Sequence, residues 1–376
     1  MKIIYTITRM VIGGAQETAK HTAEYFHQQG HDVLFVTGEE AGREGHYDVD
    51  APTLTMPSMV RAIRPHKDLI TLYRLYRLFR KEKPDIVHAR TAKARFLTAF
   101  AGRLAGVKVL VQTMHGWSFN MEVDNKRWMY VLAEKMATRF YDWTVMVAES
   151  DIEEGRRIGM LEKKVSIIRS GVNVDRMRNI DQNVVARYRA ELAPNDATVF
   201  VLVGRLSPPK TPEVFVEAAA LLAARHPKTR FVIVGDGVFR EPVEALVEER
   251  GLRSRVVLLG LRRDAAEIVA ASDVVVHSST HEGLPKTILE GMAAGKPVIG
   301  TDVDGVSIVL QNGVNGLLIP KNDPAALASA MERLLTDHAL RVQLSRNAST
   351  HVVEFSLVKT IQDTEALYER LLQAAK

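Results

Sequence analysis

The 376-residue chain has no cysteine, which rules out disulfides and thiolate metal sites and leaves nothing to argue for an oxidising compartment. No apolar run approaches the roughly 18 residues that span a bilayer. The first residues do not read as a signal peptide, because the short run Ile3–Ile7 is broken by Thr8 and Arg9 and followed by Gly13 and Gly14. No His, Asp or Glu cluster has metal-ligand spacing, and Gly-x-Ser-x-Gly is missing, so neither a catalytic metal nor a serine hydrolase is implied. The dinucleotide fingerprint G-x-G-x-x-G is missing as well, and no cofactor is expected. The net charge is only +5, and no nucleic-acid partner is expected. These absences leave a cytoplasmic protein, with peripheral contact on the inner face of the cell membrane as a further expectation.

What the chain does have is alternation. Lys2–Thr8 reads as a strand, Gln16–Gln29 as a helix and Val33–Thr37 as the next strand, with a glycine turn at Gly13–Gly14 between the first two. Strands over Pro84–Ala89, Lys108–Thr113, Trp143–Val147 and Val165–Ile168 continue the series, separated by helical stretches that include Asp124–Arg139. Polar residues dominate from Val174 to Asp196, where a hinge is expected. A second series then runs through strands at Val199–Val203, Phe231–Val234, Val256–Leu259, Val274–His277 and Val298–Thr301. The expected fold is α/β, two Rossmann-like doubly wound domains facing a central cleft. Their expected extents are 1–173 and 174–356, with a final helix in 357–376 crossing back onto the first.

Positive charge is unevenly spread. Between Arg61 and Lys108 there are thirteen Lys and Arg against Asp68, Glu82 and Asp85, so an anionic partner would land there. Within it, Arg74, Arg77 and Arg80 recur beside Tyr73, Tyr76 and Phe79 on a predicted amphipathic helix over Asp68–Glu82. That pattern fits a helix packed on the sheet with a solvated basic edge. It also fits a basic face lying on an anionic membrane surface.

The stretch 277–297 carries the strongest site signal. After His277, small polar residues lead to Pro285, a helix is predicted from near Leu284, and Gly295 with Pro297 ends it. The amides of Lys286, Thr287 and Ile288 would then point out of the positive end of the helix, where a phosphate fits. Glu282 and Gly283 precede these donors, and Glu290 lies within the helix. Two carboxylates flanking a phosphate site suggest a nucleotide sugar, with ribose at one end and a hexose at the other. Gly204–Arg205 and Lys210 follow the first strand of the second series at the same sheet edge, and a guanidinium fork with a point charge suits a diphosphate. Gly235, Gly237, Gly260 and Leu261 end the next two strands, where glycine lets backbone approach a flat base. His115–Gly116 closes a strand of the first series, at the edge where open α/β sheets bind ligands.

Taken together, Gly13–Gly14, His115–Gly116, Arg205 with Lys210, and Glu282 with Glu290 inside His-Glu-Gly-Leu-Pro and Glu-Gly-Met-Ala-Ala-Gly-Lys-Pro resemble family 4 of the retaining glycosyltransferases with the GT-B fold. The likeness covers nearly the whole chain. It implies that Arg205 and Lys210 stabilise the departing diphosphate, that Glu290 holds the ribose, and that Glu282 with the following amides orients the sugar. Gly14 falls in the loop that faces the donor, and His115 reaches the donor sugar. It also implies retention of the anomeric configuration without a divalent ion. Asp304–Gly305 stands where such enzymes often have Gly-Gly, and the acidic residue that usually follows is not found within Val306–Val309.

The expected activity is transfer of a hexosyl unit from a nucleotide diphosphate sugar, UDP-linked by expectation, to a sugar or lipid-linked acceptor in polysaccharide or glycolipid assembly. A nucleotide-sugar epimerase or hydrolase of the same fold is the competing enzymatic reading. A polyanion- or lipid-binding protein without activity is the other.

Overall fold

The computed structural model describes residues 1–39, 46–117, 127–160 and 164–375. The predicted helix at Asp124–Arg139 therefore has its first three residues outside the described set. The chain divides into two compact units, Met1–Ser170 with Lys359–Lys376, and Gly171–Val358.

In the first unit the elements run β1 (Lys2–Ile7), α1 (Gly14–Gln28), β2 (Asp32–Gly38), β3 (Thr53–Met56), α2 (Pro65–Glu82), β4 (Ile86–Arg90), α3 (Ala92–Ala105), β5 (Val109–Met114), α4 (Arg127–Thr138), β6 (Trp143–Met146), α5 (Glu149–Arg157) and β7 (Val165–Ile167). The seven strands are parallel, in the order β3-β2-β1-β4-β5-β6-β7. Buried on both faces, they read as continuous apolar runs rather than alternating ones. Ile4, Val87 and Leu110 pack toward α2 and α3, while Ile3, Tyr5, Ile86 and Val111 pack toward α1.

The second unit runs α6 (Val174–Arg178), α7 (Gln182–Leu192), β8 (Thr198–Val203), α8 (Pro212–Ala223), β9 (Thr229–Val234), α9 (Arg240–Glu249), β10 (Val256–Gly260), α10 (Ala265–Ala271), β11 (Val274–His277), α11 (Lys286–Ala293), β12 (Val298–Thr301), α12 (Asp304–Ser307), β13 (Leu317–Ile319), α13 (Pro324–Thr336) and α14 (His338–His351). Its six parallel strands are ordered β10-β9-β8-β11-β12-β13. A last helix, α15 (Leu357–Ala374), carries Tyr368 into the first unit, where its hydroxyl meets His88 Nδ1 at 2.6 Å.

The polar stretch 174–196, read from sequence as a hinge, instead forms α6 and α7. Side chains of Asn173 and Asp181 cap them by accepting from Arg176 and Asn183 amides, a local device that apolar periodicity does not reveal. Tyr188 of α7 donates to Asp264, and Arg262 pairs with the same carboxylate at 2.6 Å. These bonds fasten α7 against α10.

Both sheets reverse direction of winding at one place. In the first unit the reversal lies between β1 and β4, in the second between β8 and β11. Chain leaving the two strands on either side goes to opposite faces, so a crevice opens at their carboxyl ends, where open α/β sheets bind ligands.

Candidate functional site

The β8 exit holds Gly204, Arg205 and Lys210, and the β11 exit holds Ser278 to Pro285. The two are stitched together: Lys210 and Ser279 form an isolated antiparallel bridge, the Thr211 amide donates to Ser278 O, and Ser279 Oγ donates to Pro209 O. Residues as far as 70 positions apart in sequence thus become one surface.

At its centre Lys210 Nζ lies 2.5 Å from Glu282 Oε1 and 3.2 Å from His277 Nε2. Ser279 Oγ donates to the same carboxylate oxygen at 2.8 Å. The Lys210 and Glu282 side chains are 19% and 14% exposed, so water screens the pair weakly. Burial pushes the Glu282 carboxyl upward, but the Lys210 charge and the His277 contact outweigh it and hold the group well below the ordinary carboxylate range. Burial and the Lys210 charge push His277 down, with Glu282 opposing, which keeps its imidazole neutral at pH 7. The outcome is an ammonium fixed in one place.

Helix α11 begins two residues later than the expected start near Leu284. Pro285 has ψ 104°, an extended value, so it is the cap and Lys286 the first helical residue. The Pro285 carbonyl accepts from the Ile288 amide at 3.2 Å, which corrects the expectation that this amide points outward. Lys286 and Thr287 remain as the leading amides, and Thr287 Oγ1 donates to Val203 O across the crevice, tying the helix start to β8. Ile288, Leu289 and Met292 anchor the helix in the core, and Glu290 stays half-buried on its other side. Leu284 packs against that core, and Gly283 O lies 2.3 Å from where a Cβ on Gly305 would stand. Gly305 is thus required by close approach, and its amide donates to Glu282 O at 3.1 Å. The sequence reading noted Asp304–Gly305 only as a departure from the family's Gly-Gly and did not include Gly305 among the site residues; its position shortly after a strand end was the available signal.

Gly235 and Gly237 have φ values of +143° and +156°, and a Cβ on either would fall 1.8 Å from Gly204 O or 2.3 Å from Leu206 O. These glycines let the β8 and β9 exits touch. The Gly235 amide donates to Gly260 O at 2.8 Å, which extends the row to β10, and Leu261 beyond it is 40% exposed. Arg205 is exposed on the same loop as Lys210. His277 belongs to this site and was absent from the residues chosen from sequence, since a histidine ending an apolar strand carries no pattern of its own.

In the first unit, His115 follows β5 with Nδ1 3.4 Å from Ser170 Oγ. Gly13 caps α1 with an extended φ of 175°, and Gly14 is the first helical residue. Neither glycine has φ in the left-handed region, so the turn does not need glycine for that reason. The basic region divides: Lys93 pairs with Asp68, Arg95 with Glu134 and Arg103 with Asp142, each at 2.6 Å, and Arg90 is buried. The exposed positive charge of this region therefore includes α2, where Arg74, Arg77 and Arg80 lie beside Leu69, Ile70 and Tyr73. Among the described residues no helix is long and apolar enough to cross a membrane, and no group of three His, Asp or Glu could hold a metal ion.

Comparison with known proteins agrees with this architecture. Residues 12–176 match the family described as Glycosyltransferase Family 4, and residues 186–351 match Glycosyl transferases group 1. EpsD of Bacillus subtilis (strain 168), assigned to the glycosyltransferases, is 32% identical over 76% of this chain and 76% of its own. The Escherichia coli UDP-Gal:alpha-D-GlcNAc-diphosphoundecaprenol alpha-1,3-galactosyltransferase is 29% identical over 98% of this chain and 96% of its own. Among solved structures, Anabaena HepE in complex with UDP and glucose superimposes with a TM-score of 0.85 at 20% identity, covering 98% of this chain and all of that one. The chain is a two-domain Rossmann-like protein of the GT-B fold and belongs to the group 1 glycosyltransferases of family 4.

Proposed function

We propose that this glycosyltransferase moves a hexosyl unit from a UDP-sugar to a lipid-linked or saccharide acceptor, with retention at the anomeric carbon and without a metal ion. The observation that carries the reading is the fixed Lys210 ammonium beside the start of α11, at the switch point of the second unit. As the glycosyl C–O bond breaks, negative charge collects on the distal phosphate of the leaving diphosphate. A cation already held in position stabilises that charge without reorganising, which is where electrostatic catalysis gains most. Arg205 supplies a second positive group with a planar fork. Glu282 holds Lys210 and, through the chain around it, the approach to α11. Glu290 takes the ribose hydroxyls.

For a retaining transfer by a front-face route, the acceptor oxygen attacks from the side the diphosphate leaves, and its proton passes to the departing phosphate oxygen. The bond to the acceptor forms as the bond to the phosphate breaks, and no external base is consumed. We assign His115 to the donor sugar. UDP as the nucleotide is supported by the name of the E. coli relative, which also points to an acceptor linked through a diphosphate to a lipid. An acceptor of that kind sits at a membrane surface, and the exposed basic and apolar residues of α2 suit anionic headgroups.

The test is a thermal-shift screen of nucleotide diphosphates and their sugars, followed by turnover of the stabilising sugar nucleotide in Arg205→Ala and Glu290→Ala. UDP is expected to raise the melting temperature of the wild type more than other diphosphates. Full transfer by both folded variants would end the proposal.

A further inference from the structure

The switch point of the first unit contains a charge that the proposed donor chemistry does not use. Arg90 is the last residue of β4 and is 3% exposed. Its Nε has no hydrogen-bond partner, and no carboxylate among the described residues forms an ion pair with its guanidinium. Strand alternation puts it on the same face as His88, one step nearer the carboxyl end of the sheet.

The groups beneath it are committed to one another. His88 Nδ1 lies 2.6 Å from Tyr368 Oη, His88 Nε2 lies 2.7 Å from Thr113 Oγ1, and Tyr368 Oη donates to Tyr5 Oη at 3.2 Å. None of them neutralises Arg90. Burial drives both tyrosine hydroxyls upward and His88 downward, so the cluster stays uncharged at neutral pH.

A buried cation without a counterion is costly, and natural chains pair or replace it unless something else depends on it. The start of α3 favours an anion, while α1 carries Glu17 in its first turn. The crevice at the β1 and β4 exits is flanked by the starts of two long helices, α1 and α3, on opposite faces of the sheet. Helix α3 has no acidic residue in its first turn, where one would ordinarily offset the dipole. Its cap residue, Thr91, is held at φ +66° by hydrogen bonds from Thr8, an uncommon conformation for a β-branched residue.

We infer that Arg90 is the counter-charge for a phosphate group of the acceptor, bound at the β1–β4 switch point of the first unit. This deepens the proposed transfer and rests on it for the word acceptor: the donor diphosphate is assigned to Arg205, Lys210 and α11, so the phosphate at Arg90 belongs to the other substrate. The acceptor class is then a glycosyl phosphate or diphosphate rather than a neutral sugar. Arg90 fixes where that phosphate lies and thereby which hydroxyl is presented.

The experiment uses the full chain, calorimetric titration with inorganic pyrophosphate, and four proteins: wild type, Arg90→Gln, Arg90→Lys and Arg205→Ala. With the protein first saturated with UDP, pyrophosphate is expected to bind the wild type at a second site. Arg90→Gln is expected to weaken that site about tenfold or more and Arg90→Lys to recover part of the loss, with UDP affinity unchanged in both. The melting temperature of Arg90→Gln is expected to equal or exceed that of the wild type, because an unpaired charge has been removed. Unchanged second-site binding in Arg90→Gln would overturn the inference, as would a lower melting temperature of that variant. So would a loss of UDP affinity in Arg90→Gln, which would assign the residue to the donor. If UDP fails to bind the wild type and Arg205→Ala changes no nucleotide affinity, the donor assignment falls instead; the pyrophosphate titration without UDP then still reads Arg90 directly.

Discussion

The two sheets of this protein reverse their winding in the same way, and each places a cation at the reversal, yet the two cations are kept under opposite conditions. In the second unit Lys210 is held by Glu282, His277 and the surrounding loop, so its charge is balanced before any ligand arrives. In the first unit Arg90 is more deeply buried and, among the described residues, has no carboxylate to balance it. A cation that must stabilise a short-lived charge gains from being locked in place. One that must recognise a stable anion gains from being left unpaired, because the ligand then supplies the missing charge. With the roles proposed above, the same topology would yield a catalytic cation in one half and a recognition cation in the other, the difference lying in whether a glutamate stands beside the cation.

The comparison breaks most visibly at Lys210. Lys210→Met is expected to lower transfer by about a thousandfold, since a preorganised charge at the leaving group is lost. It is also expected to lower unfolding stability by about 3 kcal/mol, because Glu282 is left buried without its partner. Urea unfolding beside sugar-nucleotide turnover measures both. The double variant Lys210→Met with Glu282→Met is expected to regain most of that stability and none of the activity. If the single and double variants unfold alike, Glu282 is not the counter-charge and the contrast with Arg90 disappears.

Gly235→Ala comes next. A methyl group there would collide with Gly204 O, at a backbone φ that other residues rarely adopt. A loss on the order of 2–3 kcal/mol is expected, with weaker UDP binding, because the β8 exit that carries Arg205 and Lys210 must shift. Chemical denaturation and UDP titration on the same preparation check it. An unchanged UDP affinity would separate the glycine row from the donor site.

A smaller effect concerns pH. Glu282 titrates near pH 4.3 in an unfolded chain, and its folded value lies well below that range. Its contribution to stability is therefore complete above about pH 4.3 and is lost as the pH falls from there toward the folded value. Between pH 7 and pH 3 the wild type is expected to lose more stability than the double Lys210→Met, Glu282→Met variant, as read by thermal unfolding at each pH. Equal losses would mean that the carboxyl is not held by the lysine.

The smallest expected effect is at α2. Replacing Arg74, Arg77 and Arg80 by Gln should reduce binding to vesicles containing anionic lipid, by about 1 kcal/mol per charge near the surface, and leave folding intact, since all three are exposed. Vesicle sedimentation at low and physiological salt measures it. No change would confine the anion preference of the first unit to Arg90.

The sequence alone determined the α/β class, the two parallel series and the presence of a helix around Pro285 to Gly295, because strand runs, glycine exits and a proline before an apolar stripe are local signals. It also put Arg205, Lys210, Glu282 and Glu290 on one list. It did not determine that Lys210 and Glu282 neutralise each other, that His277 joins them, or that Arg90 is buried and Lys93, Arg95 and Arg103 are ion-paired. Those facts depend on which loop comes to rest beside which. Lys210 and Glu282 are 72 residues apart, and their contact is created by β8 and β11 lying next to each other in the sheet. Arg90 makes the same point from the other side: in sequence it is one basic residue among thirteen, and only the folded chain shows that it is buried with its Nε unsatisfied and with no carboxylate paired to it among the described residues. Whether a charge is paired depends on three-dimensional neighbours and local dielectric, and neither is written in the order of residues along the chain.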